Sequence, residues 1–141
     1  MENFKNKIAV VTGGGTGMGR ELVRQLASEG CHVAMCDVIE ENMIETFETV
    51  SKESPDITIT KHICDVADED QVMNFKNEVL DQQDTETINL LFNNAGIGGG
   101  GSFVAGPVEE WERCFAVCWY GVYYCSRAFM QHIVDLSLIH I

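Results

Sequence analysis

The chain has 141 residues and a formal net charge of −13 at pH 7, and its 45% hydrophobic and 22% charged residues are typical of a globular protein. Such an acidic surface repels nucleic acids and anionic lipids, so neither is expected as a partner. No apolar run is long enough to cross a bilayer as a helix, and the N-terminus has no signal-peptide core. We therefore expect a cytoplasmic protein.

Six cysteines occur, and no two of them have the CxxC spacing of a redox or zinc motif. Three fall in or beside predicted strands, three fall on one predicted helix, and no histidine stands at ligand spacing. We therefore expect small core residues in a reducing compartment and no metal site. The six are Cys31, Cys36, Cys64, Cys114, Cys118 and Cys125.

Short apolar runs alternate with stretches of helical periodicity along the chain. The runs predict buried strands at residues 8–12, 32–37, 57–64 and 88–92, each followed by a helix. Asp68 and Gln71 predict a capping box at the start of the third helix. Pro107 predicts the first residue of a long fourth helix.

This alternation predicts a parallel sheet with helices on both faces. The predicted fold class is α/β, a doubly wound, Rossmann-like parallel sheet. Ligands of such sheets bind beyond the carboxyl ends of the strands. Four unusual segments fall at these ends: TGGGTGMG at 12–19, Asp37, the pair Asp65 and Val66, and NNAG at 93–96.

The loop TGGGTGMG can be compared with three phosphate-binding patterns. A P-loop is excluded because Arg20 stands where its lysine must be, and GxGxxG fails because Met18 occupies the third glycine position. The pattern TGxxxGxG fits. In that pattern Gly13 permits a tight turn, Gly17 lets the backbone approach a pyrophosphate, and Gly19 lets the helix pack against the sheet.

Asp37 ends the second predicted strand, where a carboxylate accepts hydrogen bonds from the adenosine ribose hydroxyls and repels a 2′-phosphate. No basic residue occupies positions 14–16 or directly follows Asp37 to offset that charge. The sequence therefore favours NAD over NADP. The alternative is that Asp37 caps a helix or is a solvated loop charge.

Together these motifs resemble the short-chain dehydrogenases/reductases, over residues 5 to about 135. The resemblance implies that Asp65 and Val66 lie along the adenine ring, and that Asn94 to Gly96 line the ribose side and steady the fourth strand. It implies hydride transfer between NAD and a small-molecule alcohol or carbonyl, usually in homodimers or homotetramers. The implied cofactor-binding residues are Gly13, Gly15, Thr16, Gly17, Met18, Gly19, Asp37, Asp65, Val66, Asn94, Ala95 and Gly96.

Catalysis in that family uses a serine, a YxxxK pair and a helical asparagine, and the chain has no YxxxK. Tyr123 and Arg127 give YxxxR, but arginine does not readily release a proton, so we expect helix surface there. Alignment on Trp111 places Cys118 at the asparagine position, which puts the usual proton relay in doubt. We expect Cys118 on a buried stripe formed by Trp111, Phe115, Cys118, Val122, Cys125 and Phe129.

The resemblance implies that the serine and YxxxK follow a further strand. We therefore expect residues 1–135 to be the N-terminal part of one NAD(P)-binding domain, truncated after the fourth strand and its helix and without catalysis of its own. The tail LSLIHI, residues 136–141, can be encoded by a DNA sequence that resembles a transposon end used in sequencing libraries, read in frame. We expect an adapter-encoded, non-native segment, with a short native tail as the alternative. Truncation would put the fourth strand at a sheet edge and make the fragment poorly soluble.

The sequence thus predicts part of an NAD-dependent oxidoreductase. One alternative is a non-catalytic dinucleotide-binding module of the same fold. Another is a methyltransferase, since those enzymes also pair a glycine loop with an acidic residue, although TGxxxGxG together with NNAG argues against it. The glycine run 98–101 and Phe103 are expected to border the substrate pocket without naming a substrate.

Overall fold

The computed structural model describes residues 3–99 and 101–134. The expectations for residues 136–141 and for the boundary at 135 therefore lie outside the described residues, as does Gly100 of the glycine run. The strands are β1 Ile8–Thr12, β2 His32–Asp37, β3 Ile59–Ile63 and β4 Leu90–Phe92. The helices are α1 Gly17–Ser28, α2 Glu40–Glu53, α3 Glu69–Gln82, α4 Val108–Phe115 and α5 Gly121–Val134, with a π-helical turn, Ala116–Tyr120, joining the last two.

The four strands form one parallel sheet in the order β3-β2-β1-β4, which confirms the doubly wound Rossmann-like fold. The chain moves outward from β1 to β3 and then returns to the other side of β1. The switch point therefore lies between β1 and β4, where ligands bind in such sheets. Within the described residues β4 is an edge strand, as expected.

Two strands are shorter than predicted because their first residues make other hydrogen bonds. The Ile57 N–H donates to the Ser54 carbonyl, and the Thr58 N–H donates to His32 Nδ1. The Ile88 N–H donates to the carbonyl of His132 at the end of α5. Apolar character alone therefore overestimated the length of β3 and β4.

Each face of the sheet carries its own hydrophobic core. On one face α1 and α2 pack through Val23, Leu26, Met43 and Val50. On the other face α3 and α5 pack through Val72, Phe75, Val79, Cys125 and Phe129. The strands contribute alternate residues to the two cores, which explains why β1 and β2 are apolar without interruption.

The start of α3 differs in detail from the predicted capping box. Asp68 is the N-cap, and its carboxylate accepts from the N–H groups of Asp70 and Gln71 at 3.0 and 3.1 Å. The Gln71 side chain accepts from the N–H of Asp65 at 3.0 Å, while the Asp68 N–H donates to the Asp65 carbonyl. Gln71 thus fixes the preceding loop instead of closing the box.

The predicted fourth helix is interrupted by the π-helical turn, and Pro107 is its N-cap, not its first helical residue. The predicted buried stripe is wrong for Phe115, Cys118 and Val122, which are exposed. The wider π-helical turn changes which residues face the sheet. The buried positions before Cys125 are instead Val117 and Gly121.

Gly121 packs closely against Val66, in the loop that follows β3. A Cβ at this position would lie 2.6 Å from Cγ2 of Val66.

None of the helices in the described ranges is long and apolar enough to span a membrane.

Candidate cofactor site

A cleft of about 440 Å³, including the part open to solvent, lies at the carboxyl edge beside the switch point. The ends of β1, β2 and β3, the loop after β4 and the α4 helix with its π-helical turn all contribute to it. Its lining residues are Gly13, Asp37, Val38, Cys64, Asp65, Val66, Ala95, Gly96, Ile97, Arg113 and Val117. Six of these belong to the predicted cofactor-binding set.

The glycine-rich loop joins β1 to α1 beside this cleft. Gly17 has a φ of +53°, and no atom lies within 4 Å of the position that a Cβ would take, so the backbone here is open to a ligand. A Cβ at Gly19 would instead collide with the Gly13 carbonyl oxygen. These two environments suit the predicted roles of backbone approach and close helix packing, and the phosphate contact itself stays a prediction.

The N-terminus of α1 lies at the end of this loop. Thr16 is its N-cap, and within the described residues its side chain makes no capping hydrogen bond and no acidic residue stands in the first turn. The partial positive charge of this helix end is therefore left for an anion. Thr16, Gly17 and Met18 are exposed around it, outside the lining of the cleft.

Asp37 lies at the mouth of the cleft with both carboxylate oxygens held by backbone donors. Oδ1 accepts from the N–H groups of Val38 and Ile39 at 2.8 and 3.2 Å. Oδ2 accepts from the N–H of Gly15 at 3.1 Å. The N-cap of α2 is Ile39, so Asp37 precedes the helix and connects the glycine loop to the end of β2.

Asp65 and Val66 also line the cleft. Asp65 Oδ1 accepts from the Ala67 N–H at 3.0 Å, and Oδ2 pairs with Arg113 Nη2 at 2.8 Å. Val66 is buried next to Val117 and Gly121.

Asn94 lies outside the lining of the cleft and connects the ends of β1 and β4. Its Nδ2 donates to the carbonyls of Thr12 and Gly13 at 3.0 and 3.3 Å. Thr12 Oγ1 accepts from the N–H groups of Asn94 and Ala95, each at 3.0 Å. Asn94 thus steadies the fourth strand, while Ala95 and Gly96 reach the cleft.

Cys118 lies beside the loop that follows NNAG. Its Sγ is 3.5 Å from the carbonyl oxygen of Ile97, and that of Cys114 is 3.7 Å from the same oxygen. The described residues hold no group of three or more histidine, cysteine or acidic side chains that could bind a metal.

Tyr123 and Arg127 lie on the helix surface, as expected. The Arg127 guanidinium stacks over the Tyr123 ring at 5.4 Å and pairs with Glu69 of α3 at 3.0 Å. Phe103 does not line the cofactor cleft, and its place at a substrate pocket stays a prediction. It is 85% exposed and makes an edge contact with Trp111, and Gly98 and Gly99 line an open depression that shares Ile97 and Arg113 with the cleft.

Sequence reasoning missed Thr12, Arg20 and Arg113. Thr12 belongs to the TGxxxGxG pattern itself and could have been found there. Arg20 directly follows the pattern, and its side chain contacts both the glycine-rich loop and α2. Arg113 reaches Asp65 across 48 positions of sequence, and nothing in its local surroundings indicates that contact.

The sequence matches the short chain dehydrogenase family over residues 7–137, and the chain belongs to that family of oxidoreductases. It is 32% identical to meso-2,3-butanediol dehydrogenase of Serratia marcescens over 93% of its own length and 50% of that protein. The chain spans about half the length of the curated relatives it matches first.

Solved structures show the same family resemblance. A short-chain dehydrogenase/reductase from Burkholderia phymatum in complex with NAD superposes with a TM-score of 0.88 at 30% identity, covering 96% of this chain and 47% of that one. A metagenomic short-chain oxidoreductase in complex with NADP gives 0.83 at 27% identity, covering 94% and 59%. The neighbours thus bind either nicotinamide dinucleotide.

Proposed function

We propose that this chain is the cofactor-binding part of an NAD-dependent oxidoreductase that acts on a small-molecule alcohol or carbonyl. The supporting observation is that residues from distant parts of the sequence meet at one place. Gly13, Asp37, Asp65 with Val66, and Ala95 with Gly96 come from four separate segments and line one cleft at the switch point of the sheet.

The residues of this cleft fit a dinucleotide. The Gly13 to Gly19 loop and the uncapped N-terminus of α1 would hold the pyrophosphate. Asp37 would accept from the ribose hydroxyls, and the slot between Asp65 and Val66 would take the adenine. The bound nicotinamide would supply the hydride acceptor, while these residues bind and orient it.

The preference for NAD over NADP rests on Asp37. Its carboxylate already accepts three backbone N–H bonds, which fixes a negative charge where a 2′-phosphate would sit. We propose Gly15, Thr16, Met18 and Asn94 as further members of the site, the first three around the pyrophosphate and Asn94 as support for the loop.

A second candidate is a dinucleotide-binding module without catalysis. It is favoured by Cys118, which stands beside the Ile97 carbonyl at the position of the family's relay asparagine. A thiol is a weak hydrogen-bonding group compared with a carboxamide. The two candidates differ in whether a serine and a YxxxK follow in the gene.

We also propose a cytoplasmic protein that assembles as a homodimer or homotetramer. The exposed face of α4, the π-helical turn and α5 carries Phe115, Trp119, Tyr120 and Tyr123, each about half exposed or more. Aromatic side chains of this kind are enriched at protein interfaces. Sedimentation velocity of the complete protein tests this, and a monomer at micromolar concentration would contradict it.

The first experiment is to sequence the source gene across codon 135 and to test the complete protein for hydride transfer. We expect the frame to continue into a strand, a serine and a YxxxK, and a change in NADH absorbance with alcohols or ketones. A native stop after codon 141, together with NAD binding but no turnover, would favour the binding module. Absence of NAD binding would overturn both proposals.

A further inference from the structure

Arg20 lies in the first turn of α1 and reaches back to the glycine-rich loop. Its Nε and Nη2 both donate to the Gly15 carbonyl oxygen, at 3.0 and 2.7 Å. Nε also donates to Thr46 Oγ1 at 3.0 Å, and Nη2 pairs with Glu45 at 2.8 Å. One guanidinium therefore ties the loop to α2.

Thr46 contacts the same carbonyl oxygen and is also bonded to Arg20. It is the only threonine in α2 that is fully buried, with 0% of its surface exposed, whereas Thr49 faces solvent. Its hydroxyl lies 3.0 Å from the Gly15 oxygen and 3.1 Å from the carbonyl oxygen of Asn42. A hydroxyl buried in this way must keep its hydrogen bonds, which fixes the position of the loop.

Both backbone polar groups of Gly15 are thereby held. Its N–H donates to Asp37 Oδ2 at 3.1 Å, and its carbonyl is held by Arg20 and Thr46. Gly15 is closely packed against Asp37, because a Cβ at Gly15 would lie 2.8 Å from Asp37 Oδ2. A shift of the carbonyl would therefore move the N–H away from Asp37.

We infer that Arg20 and Thr46 are positioning residues for cofactor binding: they fix Gly15, and Gly15 holds the Asp37 carboxylate at the cleft. The inference rests on the proposed NAD site. It assigns a role to a charged side chain that does not line the cleft and that the glycine pattern does not include. Because the Glu45 carboxylate balances the guanidinium charge, Arg20 acts on the site by fixing the position of Gly15 and not through its own charge.

The test is NAD affinity, measured by fluorescence titration of the complete protein well below its melting temperature. Arg20→Met and Thr46→Val should each weaken NAD binding about tenfold, the loss expected when a charge-assisted or buried hydrogen bond is removed. Thr46→Ser keeps the hydroxyl and should restore affinity to within about twofold. Arg20→Lys keeps the charge but not the forked donors, and should stay weakened.

Arg24 provides the matched control. It lies one turn further along α1 and pairs with Glu21 and Glu53. Arg24→Met should leave the affinity for NAD unchanged, even where it lowers the melting temperature.

Coupling to Asp37 separates positioning from general stability. In an Asp37→Asn background, Arg20→Met should cost much less affinity than in the wild type, because both changes break the same chain of contacts. Full additivity would overturn the inference, as would unchanged affinity in Thr46→Val or full affinity in Arg20→Lys. A wild-type protein that does not bind NAD would overturn the proposed function as well, which distinguishes the two failures.

Discussion

At the scale of single residues, burial decides the chemistry of the cysteines. All six are free thiols, and Cys31, Cys36, Cys64 and Cys125 are buried in the two cores. Burial raises the pKa of the Cys31 thiol to about 11 and that of Cys125 to about 12. The neighbouring Cys64 thiol, followed by burial, raises the pKa of Cys36 well above its ordinary value.

The thiols should therefore fall into two reactivity classes. We expect an aromatic disulfide reagent to label two cysteines in the native protein, Cys118 first and then Cys114, since desolvation and the neighbouring Cys118 raise the pKa of Cys114. The other four should react only on unfolding. Mass spectrometry of labelled peptides measures this, and early labelling of Cys31 or Cys125 would contradict the packing of the cores.

His62 is a second residue whose surroundings set its protonation. Its Nδ1 lies 2.8 Å from Glu78 Oε2 and its Nε2 lies 2.9 Å from Thr60 Oγ1, while the ring packs on Phe75. Burial lowers the pKa of His62 below its ordinary 6.5, and Glu78 offsets only part of this effect. The folded protein thus favours the neutral ring, and the unfolded chain takes up the proton more readily.

The free energy of unfolding should therefore fall as the pH drops through 6.5 toward the lowered pKa of His62, and this loss should be absent above pH 6.5. Urea unfolding measured between pH 8 and pH 5, in steps of about half a pH unit, covers this range. The His62→Gln variant keeps polar atoms without the titration and should show a flatter dependence there. An equal slope in both proteins would remove His62 as the cause.

At the scale of elements, α5 is fixed by one apolar face over α3. Phe129 is fully buried, and its ring meets that of Phe75 edge to face, with centroids 5.5 Å apart. The adjacent Met130 is 47% exposed. The two neighbours therefore offer a matched pair for testing what holds the helix in place.

Phe129→Ala should lower the free energy of unfolding by about 3–5 kcal/mol, because it removes a buried ring and leaves a cavity. Met130→Ala should change it by less than about 0.5 kcal/mol. Urea or thermal unfolding measures both. A small loss for Phe129 would mean that α5 is not packed on α3 in solution.

At the scale of the whole molecule, ligand binding at the switch point should stabilise the fold. NAD at about 100 times its dissociation constant should raise the free energy of unfolding by about 2.7 kcal/mol. NADP at the same concentration should give a smaller increase because of Asp37, and S-adenosylmethionine should give none. Thermal shift assays compare the three, and stabilisation by S-adenosylmethionine alone would revive the methyltransferase alternative.

The sequence by itself determined the fold class, the motifs of the site and the family. Strand β1 and strand β2 were located to the residue, because a strand buried on both faces needs an unbroken apolar run between turns. The glycine pattern, Asp37 and the Asp65–Val66 pair were found because each lies where a strand must end. These are local requirements, and local sequence expresses them.

Tertiary structure decided what depends on distant contacts. The π-helical turn before Gly121 changed the buried face of the last helix, and helical periodicity gave no sign of it. The pairing of Arg113 with Asp65 joins residues 48 positions apart, and Arg20 reaches Thr46 across 26. Such contacts arise only when the crossovers bring α1 against α2 and α4 across the ends of the strands, because spacing along the chain carries no record of which surfaces will meet.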